Sequence, residues 1–346
     1  MGQRVLRARC VRLLAMLPVC SSYQAMYWNL GHRANLQRGV NLNFRPNDFS
    51  SDCRSPQVVS VVDQGPHHLI VDKPPSVICH HSDWAGSRRQ QQSSNDEEVV
   101  LPMLQQIRNQ VGRHVNLVHR LDRGASGCLL VTYASNNGNN VQSSSSLEVY
   151  SSDMEDTCTS YQATSALQDA LSRGTKTYVA LVRGEGILHG EDLCTKGWFT
   201  IDRPIRNERG VYHDAITQFR FVAGQPEDTS TQQPRASLVL ARPKTGRWHQ
   251  VRRHLNGLSH PILGDSSHGS SKVNREWREQ RGLSGERICL HLLHMSLPPD
   301  KVYIPNGINA FCPLSDDMMK ILQTHLPSVL EVAEKILQEE EGISLR

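Results

Sequence analysis

His119-Arg120-Leu121-Asp122-Arg123-Gly124-Ala125-Ser126-Gly127 runs directly into Cys128-Leu129-Leu130-Val131. The second half is a short apolar run of strand-forming residues and predicts a β-strand over Gly127–Tyr133. The first half sets one carboxylate between two arginines, ahead of a Gly/Ser turn that lets backbone approach closely. Neighbouring cations favour the charged form of an aspartate, which suits a nucleophile or charge stabiliser rather than a general acid. A turn aspartate with surface arginines reads the same way in isolation. The segment therefore takes its meaning from the rest of the chain.

Two further stretches concentrate polar chemistry. In Pro243-Lys244-Thr245-Gly246-Arg247-Trp248-His249-Gln250-Val251-Arg252-Arg253-His254-Leu255, helical spacing puts His249, Arg252 and Arg253 on one side. Trp248, Val251, Leu255 and Leu258 form an apolar stripe beside them. Cations at a helix start gain nothing from the helix dipole, so a phosphate or carboxylate partner is the natural reason for them. A solvated basic face is the plainer alternative. In Lys176-Thr177-Tyr178-Val179, strand alternation places Lys176 and Tyr178 on one face. Tyr178 could stack on a base or move a proton there; a half-buried strand tyrosine is the ordinary explanation.

Outward from these segments, strands are predicted at Val58–Val62, His68–Val71, Thr177–Val182, Phe199–Ile205, Thr217–Val222, Ser237–Ala241 and Cys289–Leu297. Leu101, Leu104, Ile107 and Val111 mark an amphipathic helix closed by Gly112. Another helix falls near Ser165–Ser172, one follows Thr245-Gly246, and Lys320–Leu337 is largely helical ahead of an acidic tail. Residues 85–98 read as a polar loop, and 135–160, rich in Ser and Asn, as a disordered insertion. Many strands without a βαβ rhythm predict an α+β fold with a largely antiparallel mixed sheet and flanking helices.

The charge of the 346-residue chain, +4, is unevenly placed. Residues 1–47 carry seven arginines, no lysine and no acid, while the other 31 basic residues face all 34 acidic ones. Nucleic-acid affinity in the folded body must therefore come from a local basic patch. The Arg-rich stretch over residues 1–50, acid-free as far as Asn47, fits an organellar transit peptide. A disordered basic leader and a secretory signal with a core at Leu13–Cys20 are the alternatives. Nine scattered cysteines, never spaced as C-x-x-C, suit a reducing compartment and argue against a disulfide framework or zinc cassette. No apolar run approaches the ~18 residues of a membrane span. His119-Arg120-Leu121-Asp122 has the wrong order for a kinase catalytic loop, and neither a P-loop nor a dinucleotide fingerprint is present.

In order, the three polar segments resemble the RluA/TruC family of pseudouridine synthases, whose pattern is H-R-L-D-x-x-T-S-G-x-L-L, K-x-Y, then G-R-x-H-Q-x-R-x-H-L with H-P-I-x-G-D. The chain matches with His119 to Asp122, Ser126-Gly127, Lys176 and Tyr178, Gly246 to Leu255, and His260-Pro261-Ile262-Leu263-Gly264-Asp265. It is most similar to the TruC-type tRNA enzymes. Ala125 stands where the family usually has Thr, and the small N-terminal RNA-binding domain of many relatives has no match.

The resemblance implies a catalytic domain over residues 57–325, followed by a C-terminal helix and acidic tail over 326–346, with a central RNA-binding cleft. It implies Asp122 as the catalytic carboxylate, Arg252 paired with it and Tyr178 as the active-site tyrosine. Arg120 would replace the target uridine in the stack. Arg123, Lys176, Arg247, His249, Gln250 and Arg253 would complete the RNA-binding set. Isomerising uridine to pseudouridine has no net redox change, so neither cofactor nor metal is expected. The expected partner is RNA, with tRNA ahead of organellar rRNA, acted on by a monomer without a membrane. The expected compartment is a mitochondrion or plastid, with cytoplasm or nucleus as the alternative. From another class, the rival reading is a catalytically silent RNA-binding protein of the same fold.

Overall fold

The computed structural model describes residues 58–81, 100–134, 152–230 and 232–346, with no side chains for 152–160. The N-terminal leader, the polar loop at 85–98 and the part of the Ser/Asn-rich stretch at 135–151 lie outside the described residues.

Strands run in chain order: β1 Val61–Gln64, β2 His68–Lys73, β3 Val115–Leu117, β4 Ser126–Tyr133, β5 Thr175–Arg183, β6 Ile187–Leu188 and β7 Glu191–Asp192. They continue with β8 Phe199–Asp202, β9 Ile205–Arg206, β10 Tyr212–His213, β11 Ile216–Gln225, β12 Ala236–Pro243, β13 Leu290–Leu297 and β14 Ile308–Phe311. The helices are α1 Met103–Val111, α2 Ser152–Arg173, α3 Gln250–Gly257, α4 Ser271–Arg281, α5 Asp316–His325 and α6 Pro327–Ile336.

Eight strands form one path, β1-β2-β4-β13-β5-β12-β11-β8, with β3 against β4 and β14 against β13. Among the described residues only the β4–β13 pairing of this sheet is parallel. The fold is thus α+β with a mixed, mostly antiparallel sheet, as the strand-rich pattern predicts. Gly127 of β4 registers with Leu292 of β13, and Leu292 with Tyr178 of β5. Adjacent strands lie ~4.8 Å apart. Tyr178 therefore stands two strands from the start of β4.

Two apolar cores cover the sheet. One joins Val179, Phe219, Phe221 and Leu240 to Leu255 of α3, Met318 of α5 and Leu330 of α6. The other joins Ile70, Leu129, Leu130 and Leu292 to Met103 of α1 and Leu167 of α2. Tyr178 packs against both, so the middle of the sheet is where the two cores meet. Two glycines let the Asp122 segment enter this middle. A Cβ on Gly124 would collide with the Glu286 carbonyl and one on Gly127, at φ 106°, with the Leu292 carbonyl. Only glycine fits either place.

Three sequence expectations change. Helix α2 begins at Ser152, inside the stretch expected to stay unordered, and runs to Arg173. Its C-terminal half buries Ala163, Leu167, Ala170 and Leu171, and that tertiary burial is what holds a helix in place. The largely helical stretch over Lys320–Leu337 divides into two helices, because Pro327 has no N–H to continue the first and sits at the first turn of the second. The acidic tail is no tail. The Glu341 carboxylate, 8% exposed, accepts from Trp198 Nε1 at 2.7 Å, Arg220 Nη1 at 2.6 Å and Arg242 Nη2 at 2.9 Å. These partners lie more than ninety residues away, beyond the reach of a local charge-run reading.

Candidate active site

Asp122 opens a tight turn in which Ala125 N–H donates to the Asp122 carbonyl at 3.1 Å. Buried cations hold the turn from below. Lys73, the last residue of β2 and fully buried, donates through Nζ to the carbonyls of Pro74 (2.8 Å), Arg123 (3.2 Å) and Ala125 (2.7 Å). Burial lowers its pKa to about 8, although nearby Cys79 works in the opposite sense. Arg287, also fully buried, donates to the Gly124 carbonyl at 2.9 Å and to Ser126 Oγ at 2.9 Å. Its Nε lies 2.8 Å from Asp317 Oδ2, close enough for an ion pair though outside hydrogen-bond geometry.

Ser126 passes its own proton on. Its Oγ lies 2.8 Å from His291 Nδ1, and His291 Nε2 is 3.1 Å from the Cys312 carbonyl. Burial lowers the His291 pKa to about 4, so the ring is neutral near pH 7 and carries its single proton on Nε2. Each donor in this chain then faces an acceptor. Ala125, where the family usually has Thr, is buried beside it and leaves the turn closed.

Above the turn, Arg252 of α3 reaches Asp122 Oδ2 through Nη1 at 2.8 Å. Its Nε and Nη2 grip the two oxygens of Asp265 at 2.7 and 2.8 Å. The Arg252 and Asp265 side chains are 4% and 0% exposed, against 30% for Asp122. Burial works against the Arg252 charge, but Asp265 and Asp122 more than offset it and hold its pKa above the ordinary value. Asp265 is held low: burial is outweighed by Arg252 and by the amides of His268 and Ser267, at 3.0 and 2.9 Å. One carboxylate is therefore buried and wholly used, while the other is fixed by the same guanidinium and open on its outer side.

His249 Nε2 lies 3.8 Å from Asp122 Oδ1. Burial lowers its pKa to about 4, against the pull of Asp122, so the ring is neutral and the contact is dipolar rather than an ion pair. Tyr178 feels the same carboxylate. Burial first, then Asp122, pushes its phenol pKa well above the usual range, so it keeps its proton. In that state it offers an aromatic face and an O–H donor.

The expected RNA-binding residues divide. Arg120 is exposed, and its guanidinium meets no carboxylate among the described residues. Arg247 and Arg253 donate to the carbonyls of Asp214 and Arg206, and neither meets a carboxylate among the described residues. Arg123 is tied to Glu286 at 2.6 Å. Lys176 is half-buried with Nζ 3.3 Å from the Leu171 carbonyl, and burial followed by Lys244 lowers its pKa. Gln250 departs from expectation: it is 4% exposed, its amide donates to Ile216 O and Thr217 Oγ1, and its oxygen accepts from Arg247 N–H and Thr245 Oγ1. It builds the turn and has no atom left for a ligand.

The helical stripe is corrected as well. His249 adopts the left-handed conformation at φ 54°, so α3 starts at Gln250 and Trp248 lies outside it, 56% exposed. Sequence reading also passed over Lys73 and Arg287, and gave Asp265 no role. The usable signals were a lysine inside the apolar strand Leu69–Lys73 and an aspartate followed by Ser-Ser, the pattern of a side-chain-capped turn. Among the described residues no group of three or more His, Cys, Asp or Glu side chains is arranged to hold a metal ion.

A mixed sheet thus centres an open carboxylate, bound by a guanidinium and close enough to Tyr178 to act on its phenol. The sequence model described as RNA pseudouridylate synthase matches residues 67–146 and 158–257. The chain belongs to the RNA pseudouridylate synthase family, isomerases that convert uridine in RNA to pseudouridine. It is 31% identical over 241 residues to tRNA pseudouridine synthase C of Vibrio vulnificus, covering 68% of this chain and 82% of that protein. To tRNA pseudouridine synthase C of Salmonella typhi it is 32% identical over 254 residues, covering 69% and 80%. The solved human RNA Pseudouridylate Synthase Domain Containing 1 superposes with a TM-score of 0.48 at 21% identity, covering 80% of this chain and 89% of that one.

Proposed function

We propose that this chain isomerises uridine in tRNA, with Asp122 as the catalytic carboxylate, Arg252 as its positioning partner and Tyr178 as the wall for the extruded base. The reaction breaks the bond from the ribose C1′ to uracil N1, turns the base over and joins C1′ to C5. The C5 hydrogen leaves as a proton and N1, freed from the sugar, takes one up, so that the product is an isomer. Positive charge develops on the sugar as the first bond breaks, and a fixed carboxylate stabilises or traps it, as in glycoside cleavage. The single observation that carries this reading is the Arg252 bridge. A guanidinium anchored on buried Asp265 through Nε and Nη2 turns its Nη1 to Asp122 and fixes where that carboxylate points.

Tyr178 supports the base by stacking and by its O–H, since its proton is retained. Arg120, exposed two positions before Asp122, fills the gap left by the flipped uridine and offsets part of an unstacking cost of a few kcal/mol. The choice of tRNA rests on the relatives named above. The Arg-rich residues 1–50 direct the enzyme to a mitochondrion or plastid in this reading.

The test uses RNA carrying tritium at uracil C5. The parent protein releases tritium and Asp122→Ala does not; release by both, or by neither, removes the catalytic assignment and leaves a silent RNA binder. Mapping pseudouridines in cells lacking the protein then separates substrates. Loss confined to rRNA would overturn tRNA as the target.

A further inference from the structure

We propose that Trp248 is a stacking platform for an unpaired base flanking the target uridine. This rests on the reading of Asp122 as the isomerisation site. Trp248 occupies the open position of the family pattern G-R-x-H-Q, so nothing in the shared machinery asks for an indole there.

Its setting does. The left-handed backbone at His249 (φ 54°) turns the indole away from the stripe of α3, leaving it 56% exposed. An exposed tryptophan is ordinarily free to move, but this one is braced. Its ring stacks on the His249 imidazole at a centroid distance of 3.8 Å and 21° between planes, with the His268 ring edge-on at 6.2 Å. His249 is in turn fixed by a hydrogen bond to His268, Nδ1 to Nε2 at 3.0 Å. A wet apolar ring held rigid on one face loses little freedom when something stacks on the other.

Position and charge specify what stacks. The imidazole supporting the indole is the one whose Nε2 lies 3.8 Å from Asp122 Oδ1, so a single ring separates platform from carboxylate. Tyr161 and Tyr212, also exposed, have no such link among the described residues. Arg247 on one side and Arg253 one turn along donate to backbone carbonyls and meet no carboxylate among the described residues, so their charge is available to phosphates. A flat ring between uncompensated arginines suits a splayed single-stranded nucleotide, whose base has a face for any sequence.

Full-length parent, Trp248→Phe and Trp248→Ala are compared on unfractionated tRNA tritiated at uracil C5. Trp248→Ala should raise KM roughly 5- to 100-fold, the range for loss of one base–aromatic stack, with kcat little changed. Trp248→Phe should recover most of the loss. The tryptophan emission that Trp248→Phe removes from the parent should be quenched by the same tRNA. Unchanged KM in Trp248→Ala, a fall in kcat alone, or emission unaffected by tRNA would overturn the platform. If the parent releases no tritium the isomerase reading fails, and the quenching measurement still decides the stacking.

Discussion

Asp265 grips Arg252 with both carboxylate oxygens, at 2.7 and 2.8 Å, from a position with no exposure at all. It cannot touch RNA, and its whole effect on the reaction passes through the direction in which Arg252 points. Bidentate pairing fixes a planar guanidinium in orientation as well as position.

Asp265→Asn keeps the shape but gives up one acceptor. The expected result is a fall in kcat of roughly 100-fold, the scale of an ångström-sized misplacement, with RNA affinity nearly unchanged. Single-turnover rates and filter binding on the same preparation check this. Affinity lost in step with kcat would mean that the pair merely supports the RNA surface.

Arg252→Lys keeps the charge but not the fork. One ammonium cannot hold both oxygens of Asp265 and also reach Asp122, so turnover should drop at least ~100-fold while the protein stays folded. Arg252→Ala should also abolish turnover, but it strands a buried carboxylate and costs about 3–5 kcal/mol of stability. Circular dichroism melts beside the rates separate the two effects. Near-parental turnover in the lysine variant would show that charge alone suffices.

Lys73→Met removes the donor that gathers three carbonyls beneath the Asp122 turn. The bond to Ala125 is buried and those to Pro74 and Arg123 are partly so; a buried acceptor left alone costs about 1–3 kcal/mol, so the variant should lose at least ~1 kcal/mol in urea unfolding. Activity should fall as well, because the turn that presents Asp122 is freed. A variant of parental stability would contradict this account of the turn.

His291 ties stability to pH. Its folded pKa is depressed to about 4 by burial, below the ~6.5 of an unfolded histidine. The unfolded chain therefore binds the proton first. The stability of the neutral ring is fully present above about pH 6.5 and is lost as pH falls from there through 4, by up to about 3 kcal/mol. Urea midpoints for the parent should fall between pH 7 and 5, and His291→Gln should flatten that slope. His119 and His249, also lowered to about 4, leave part of the slope in place. An equal slope in the variant would sink the assignment.

The sequence by itself determined many of the local elements and singled out residues that the structure brings together. The apolar run after Gly127 is strand β4, the helix closed by Gly112 ends there in a left-handed residue, and Asp122, Tyr178 and Arg252 lie close together. Periodicity and motif order are legible because they depend on neighbours a few residues apart. Partners were decided only by the tertiary structure. Arg252 meets Asp122 across 130 positions, Lys73 meets Ala125 across 52 and Glu341 meets Arg242 across 99. The sheet order β2-β4-β13-β5-β12 sets those meetings, and no spacing along the chain encodes it. Gln250 and Trp248 show the same limit at short range. A single left-handed residue at His249 turned the amide inward and the indole out, the reverse of what their polarity suggests. Backbone conformation at one junction outweighed side-chain hydropathy, because the buried amide found four partners there and the indole found support on an imidazole.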